Sequence, residues 1–321
     1  MAQRIQQRSY GGPEVLELVD VPEPDPRDLA EGEVLVRVHA AGVNPVDTQT
    51  RRGGGVSGLM GGFPFTVGWD VAGTVAALGP GAGGGSNGLA VGSRVFAFSR
   101  FPEQAAAYAD FAVLRESELA LVPPSMSDAQ AGGLPLAGLT AWQDLVDIAA
   151  VQPGQRVLIH GGGGGVGHLA VQIAHDLGAY VIATASAGKC DWVASLGADE
   201  VLDYTRVDVV AGLRNRPVDV VLDTVSGPMG PPSVACAAPG GTVIELLGVS
   251  EETKAAAQES GVNAVYHAVH PDGGQLQHLA DMVAGGRLAV DVSEEYPLAR
   301  AADAHRAVES GRTRGKLVLR P

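Results

Sequence analysis

The chain has 321 residues, is 45% hydrophobic and carries a formal net charge of −14. That length suits about two domains with substantial cores, and the acidic balance disfavours nucleic acid and anionic membrane, which need a basic face. Two cysteines, Cys190 and Cys236, give neither a disulfide framework nor a zinc-ligand cluster. No signal-peptide pattern opens the sequence, and no apolar run reaches the roughly 18 residues of a bilayer span, so a soluble cytoplasmic protein is expected.

The first 124 residues read as β-rich. Strand-like stretches at Glu33–Ala40, Val71–Leu78, Ser93–Phe98 and Tyr108–Leu114 are separated by Gly and Pro. Glycine-rich stretches at Gly53–Gly62 and Gly79–Gly88 lack apolar content and read as mobile surface loops. A helical segment, DAQAGGLPLAGLTAWQDLVDIA, begins at Asp128. Strands are then expected at Arg156–His160, Ala179–Thr184, Glu200–Asp203, Val218–Asp223, Thr242–Leu247 and Asn263–Val269, with helices between several of them, as at Lys189–Leu196. This alternation predicts a parallel sheet with crossover helices. Helix at Gly273–Gly285, strand at Leu288–Val292, helix across PLARAADAHRAVESG and strand at Lys316–Leu319 close the chain. The expected domains are therefore 1–124, 125–270 and a return to the first over 271–321.

Between Arg156 and Gly167 the sequence is RVLIHGGGGGVG, and an amphipathic helix follows. Gly162, Gly164 and Gly167 fit G-x-G-x-x-G in its strand–turn–helix setting, which presents backbone N–H groups to a pyrophosphate at a helix N-terminus. Gly164, Gly165 and Val166 are expected to meet the pyrophosphate. The second strand ends IATAS with no carboxylate at its tip, and Lys189 follows Ser186 by three residues. An ammonium and a hydroxyl attract a 2′-phosphate that Asp or Glu would repel, so NADPH is expected over NADH. Tyr204, past the third strand, either covers the same phosphate or packs at the strand end. Cys190 reads as an inert thiol.

Together AGVNPVDT (41–48), PFTVGWDVAGTV (64–75), YADFAV (108–113), LPLAGLTAWQ (134–143), VLIHGGGGGVGHLAVQIA (157–174), LGADEVLDY (196–204), VDVVLDTVSG (218–227) and SGRTRGKLVL (310–319) resemble the zinc-free, zeta-crystallin-like quinone oxidoreductases of the medium-chain dehydrogenase/reductase superfamily. The resemblance covers nearly the whole chain. It implies an α/β protein: a Rossmann doubly wound parallel sheet plus a GroES-like β-rich catalytic domain, with catalysis in the cleft between them. Zinc alcohol dehydrogenases, similar in outline, carry Cys where Ala41–Asn44 lie and His-Glu where Trp69-Asp70 lie. Asp70, His39 and His160 read as isolated polar residues rather than a replacement metal site. Many quinone oxidoreductases have Tyr where this chain has Gln49, which leaves the proton donor unassigned.

Without a metal acting as Lewis acid, the acceptor must delocalise the incoming charge. Quinones do so as hydroquinones, and α,β-unsaturated carbonyls do so as enolates. Hydrogen-bond donors still have to meet the oxyanion. Asn44 is the first candidate, either for ribose hydroxyls or substrate oxygen or as a turn former before Pro45. Asp47 is expected to orient neighbours rather than to transfer protons. Thr140 matches a family position close to the cofactor. Gly248 follows the fifth strand, where parallel sheets bind ligands. Lys316 either reaches a phosphate or ribose or is solvated. Trp69 lines the cleft or belongs to a core, and Gly53–Gly62 forms part of the cleft rim. The leading expectation is a small-molecule reductase of quinones or enones; the alternatives are an enoyl reductase of a polyketide-like pathway and a non-catalytic NADPH-binding protein. The apolar stretch NAVYHAV (263–269) is expected to pair across a two-fold axis in a homodimer.

Overall fold

The computed structural model describes residues 1–85, 88–225 and 229–321. Ser86 and Asn87, in the expected Gly79–Gly88 loop, Ser226 and Gly227, at the end of the VDVVLDTVSG motif, and Pro228 after it lie outside the described residues. The chain begins with β1 (Ala2–Gln6), β2 (Glu17–Val21), β3 (Glu33–Val43), α1 (Pro45–Arg51), β4 (Asp70–Leu78), β5 (Arg94–Phe98), β6 (Phe111–Arg115), β7 (Leu119–Leu121), α2 (Asp128–Gly133) and α3 (Pro135–Trp142). It continues with β8 (Arg156–His160), α4 (Gly167–Asp176), β9 (Tyr180–Ala185), α5 (Cys190–Ser195), β10 (Glu200–Asp203), α6 (Val209–Leu213), β11 (Val218–Asp223), α7 (Gly230–Cys236), β12 (Ala237–Glu245), α8 (Glu251–Ser260) and β13 (Asn263–Val265). The last elements are α9 (Gly273–Ala284), β14 (Val292–Pro297), α10 (Ala301–Glu309) and β15 (Lys316–Arg320).

Two compact units result. One comprises residues 1–139, 270–286 and 290–321, the other 140–269 and 287–289. The division falls after Leu139 rather than at the expected 124/125, because α2 packs on β3, β4 and β15. In the first unit, β1 and β2 form an antiparallel pair, and a larger sheet runs β14-β15-β3-β4-β5-β7 with β6 also on β3. The long β3 organises this sheet: it pairs with β6 over Glu33–Arg37, with β4 along most of its length, and with β15 at Ala41–Val43.

The second unit holds six parallel strands in the order β10-β9-β8-β11-β12-β13. Strands covered on both faces need apolar side chains throughout, and Val157, Leu158 and Ile159 of β8 are wholly buried, as are Val181, Ile182 and Ala183 of β9. The order reverses between β8 and β11, the switch point beyond which parallel sheets bind ligands.

Several boundaries differ from expectation. No strand forms over Leu288–Val290, since the Ala289 backbone is hydrogen-bonded by the Gln172 side chain, its N–H to Oε1 at 2.7 Å and its carbonyl from Nε2 at 2.9 Å. The strand lies instead at Val292–Pro297. The sixth parallel strand stops at Val265, and the His267 ring turns onto the Asp144 carboxylate at 3.1 Å. β12 starts earlier and ends earlier than Thr242–Leu247. Trp69 is a core residue, its indole N–H donating to the Glu103 carbonyl at 2.6 Å and its ring edge-on to Phe101.

Leu158 packs within a core cluster with Ile182, Val221 and Val243. Leu158→Ala should lower stability by about 3 kcal/mol, read from the shift in urea midpoint.

Candidate active site

Three strand ends of the first unit converge. β3 ends at Val43 and leads into Asn44, which caps α1. β4 begins at Asp70, one residue before the Val71–Ala41 pair. β15 begins at Lys316, one residue before the Leu317–Val43 pair. Register alone therefore brings Asn44, Asp70 and Lys316 together, and all three are buried. The Lys316 ammonium donates to the Asn44 Oδ1 and to the Val43 carbonyl at 3.3 Å. Asn44 Nδ2 donates to Asp70 Oδ2 at 2.7 Å, and the other Asp70 oxygen accepts the Leu136 N–H at 2.8 Å. A cation on one side and an anion on the other fix which end of the amide is which. What Asn44 has left is a single Nδ2–H donor.

Asp47, the third residue of α1, folds back so that its Oδ2 accepts the Asn44 backbone N–H at 2.7 Å, the carboxylate half of a capping box. The same oxygen accepts the Tyr108 hydroxyl at 2.9 Å. Tyr108 lies in turn 3.2 Å from His305 Nε2, and His305 Nδ1 lies 3.2 Å from Arg51 Nη1. Arg51 also donates to Glu309 at 2.5 Å. His305 and Glu309 sit four residues apart on one face of α10, which lets both meet the same guanidinium. Gly68, at φ +97°, opens the space for the Tyr108 ring; a Cβ there would strike the ring carbons.

Burial dominates the titration of this cluster. It pushes the Asp47 carboxyl up to about 7, against the Asn44 and Tyr108 hydrogen bonds. It pushes Asp70 up to about 6, against the pull of Lys316, and it lowers Lys316. Burial, then the Arg51 charge, drives His305 down to about 3, so the imidazole is neutral. Asp47 Oδ1 is buried with no hydrogen-bond partner.

The glycine loop belongs to the second unit. Gly161 N–H donates to Thr184 Oγ1 and Gly162 N–H to the Thr184 carbonyl, at 3.1 and 2.9 Å, tying the turn to the end of β9. The Gly164 N–H turns back to Gly161 O at 2.9 Å. Gly165, Val166 and Gly167 follow at the start of α4. A Cβ on Gly167 would collide with the Gly161 carbonyl, so glycine here permits the helix to approach the turn. The aliphatic stem of Lys189 lies over Gly163. Ser186 caps the short turn that carries Lys189, and the Tyr204 N–H donates to the Ala185 carbonyl at 3.2 Å. Thus Gly162, Ser186, Lys189 and Tyr204 gather around one strand tip. A carboxylate stands one strand away: Asp203, opposite Ala185, meets Arg206 at 3.3 Å and Thr205. Burial, and then Asp203 and Asp191, raise the Cys190 thiol, which is the inert form. Thr140 is buried on α3, and Gly248 sits in the turn after β12 at φ +101°.

The alcohol dehydrogenase GroES-like domain model matches residues 30–124, and the zinc-binding dehydrogenase model matches residues 196–319. The chain is 35% identical over 324 residues to the chloroplastic NADPH-dependent alkenal/one oxidoreductase of Arabidopsis thaliana, covering 97% of this chain and 78% of that protein. The chain belongs to the medium-chain dehydrogenase/reductase superfamily, in its quinone oxidoreductase branch. The quinone oxidoreductase of Escherichia coli, solved in complex with NADPH, superposes with a TM-score of 0.88 at 29% identity, covering 99% of this chain and all of that one. A polyketide synthase of Streptomyces halstedii is 34% identical over 298 residues, 91% of this chain but only 5% of that protein.

The superfamily implies two groups, and the residues fit one of them. Around the glycine loop, the close approach at Gly167 and the stem of Lys189 beside Gly163 suit a phosphorylated dinucleotide. The polar core of the first unit does not suit zinc: its two carboxylates are engaged with N–H and O–H donors, and a lysine supplies the cation. Among the described residues, no group of three or more His, Cys, Asp or Glu is arranged to hold a metal ion. Asp70, which reads as isolated in the sequence, is an integral member of this core. Tyr108, His305 and Arg51 were not foreseen; a histidine on the apolar face of an amphipathic helix was the one available hint.

Neutral His305 has a stability consequence. Its folded-state pKa lies below the unfolded value, so it adds stability in full above about 6.5 and loses it as pH falls towards 3. His305→Gln, which does not titrate, should flatten the acid limb of the melting-temperature profile between pH 6 and 4.

Proposed function

We propose that the chain is an NADPH-dependent, zinc-independent reductase of quinones and α,β-unsaturated carbonyls. The observation that carries this reading is the Lys316 ammonium lodged on the Asn44 amide. Positive charge is built into the polar core, but it reaches an acceptor only through a hydrogen-bond donor, so the acceptor has to spread charge itself. NADPH bound on the glycine loop supplies the hydride. Gly164, Gly165 and Val166 line its pyrophosphate, Gly162 and Gly167 shape the turn that meets it, Ser186, Lys189 and Tyr204 attend its 2′-phosphate, and Thr140 and Gly248 flank it. Lys316 fixes Asn44, and the remaining Asn44 N–H is the donor offered to the acceptor oxygen.

The enoyl reductase alternative involves the same chemistry on a tethered thioester and is supported by the polyketide synthase relative. The free-standing reductase is favoured because the chain spans most of the alkenal/one oxidoreductase. The free thiols Cys190 and Cys236 suit the cytoplasm. No helix of the described residues is long and apolar enough to cross a membrane. We also propose a homodimer through β13, one of the two edge strands of its sheet; light scattering returning a monomer mass removes that assignment.

Following NADPH absorbance with 1,4-benzoquinone, 9,10-phenanthrenequinone, alkyl vinyl ketones and enoyl thioesters should give turnover on the first three. Tight NADPH binding without turnover on any acceptor would instead identify a non-catalytic protein. Lys189→Ala should raise KM for NADPH about tenfold, the loss of one charge-assisted contact, and leave KM for NADH unchanged.

A further inference from the structure

We propose that Asp203 and Arg206 together set the preference for a phosphorylated dinucleotide: Asp203 steadies the turn that carries Lys189, and Arg206 cancels the repulsion that the Asp203 carboxylate would exert on a 2′-phosphate. The proposal rests on the NADPH reading above and adds two residues to it.

A strand tip without a carboxylate is only half of the electrostatics at the end of β9. β10 runs parallel beside β9, and the register sets Asp203 level with Ala185. Neighbouring strands lie about 5 Å apart, so an acidic side chain stands one strand over from the residue that precedes Ser186. Left bare, its charge would oppose that of Lys189 towards a phosphate.

The carboxylate has a structural task. Asp203 Oδ1 accepts the Thr205 N–H at 3.0 Å and the Thr205 hydroxyl at 2.6 Å, which makes an Asx turn. The Asp203 carbonyl accepts the Arg206 N–H at 2.9 Å and closes that turn. The Thr205 hydroxyl above all holds the carboxyl below its usual range, and the Ala187 N–H, which also donates to it, acts in the same direction. Ala187 belongs to the short turn between Ser186 and Lys189, closed by the Lys189 N–H on the Ser186 carbonyl at 2.8 Å. Asp203 therefore ties the end of β10 to the turn that bears Ser186 and Lys189.

The fold that fixes Asp203 also places its counter-charge. Arg206 is the fourth residue of the turn that Asp203 opens, and its Nε lies 3.3 Å from Asp203 Oδ2. The Arg206 side chain is 76% exposed and that of Asp203 only 14%, so the pair turns a guanidinium rather than a carboxylate to solvent. Nε is spent on Asp203, and the planar fork has further N–H donors on its terminal nitrogens, suited to phosphate oxygens. Both charges are felt beside Lys189: burial and then Asp203 raise the thiol of Cys190, the next residue, and Arg206 opposes them. Lys189, Asp203 and Arg206 together carry one net positive charge. Arg206→Ala leaves none, Asp203→Asn leaves two, and the double variant restores one.

Calorimetric titration of the cofactor-free protein with adenosine 2′,5′-bisphosphate and with 5′-AMP, which differ only in the 2′-phosphate, tests this without turnover. Arg206→Ala should weaken the bisphosphate about fivefold. Asp203→Asn, which keeps an oxygen for Thr205, should strengthen it by about the same factor, and the double variant should lie near wild type. Affinity for 5′-AMP should hold steady throughout. The differences should fall to about twofold or less in roughly 0.5 M salt, which loss of turn structure alone would not produce. The ratio of KM for NADPH to KM for NADH should follow the same order. An Arg206→Ala protein with wild-type affinity for the bisphosphate, an equal loss for both nucleotides, or a loss that persists in high salt overturns the proposal while leaving the NADPH reading intact. Wild-type protein that binds the bisphosphate no more tightly than 5′-AMP overturns that reading, and the proposal with it.

Discussion

A lysine ammonium held out of water, with an amide on one side and two carboxylates nearby, is the constraint on which the catalytic unit depends. Burying an isolated ion in a protein interior is costly enough that the group sheds its charge or finds partners. Lys316 has the Asn44 and Val43 oxygens as direct partners, and its charge tempers the neighbouring acids Asp70 and Asp47. Each member makes the burial of the others tolerable. That interdependence ties the ends of β3, β4 and β15 to one geometry and so fixes the orientation of the Asn44 amide.

The same interdependence explains why the site resists piecemeal reading. Asp47 belongs to a helix cap, to a tyrosine and to an electrostatic cluster at once. Its cap role is local and structural, and the tyrosine contact links it to α10 through His305. In a zinc dehydrogenase this region would present metal ligands. Here it holds amide, phenol, ammonium and carboxylate groups that orient one another by hydrogen bonding.

What was legible in the sequence was what has short period or short span. The parallel strands β8 and β11 appear where their apolar β-branched runs predict them, because central strands buried on both faces leave a strong hydrophobic signal. The glycine loop was equally visible, since its residues act within one turn. Asn44 and Asp47 could be picked out because both lie in the one short stretch AGVNPVDT. Lys316 could be singled out only as one of three lysines, and its contact with Asn44 is a matter of strand register across 272 positions. Tyr108 and His305 are 197 residues apart and meet through tertiary packing that no local pattern encodes. The absent strand at Leu288–Val290 has a comparable cause: a distant glutamine side chain takes the backbone bonds a neighbouring strand would have made.

The position of β15 in the chain has a consequence for biosynthesis. The strand that carries Lys316 is made only after the whole intervening nucleotide-binding unit has been synthesised. Until then the nascent first unit has an open sheet edge at β3 and an Asn44–Asp70 pair without its counter-ion. The intervening unit, continuous apart from three residues, is free to fold first. Completion of the polar core around Asn44 thereby waits on a segment made after the intervening unit, so a polypeptide interrupted before β15 would retain its glycine loop but lack the cation of that core.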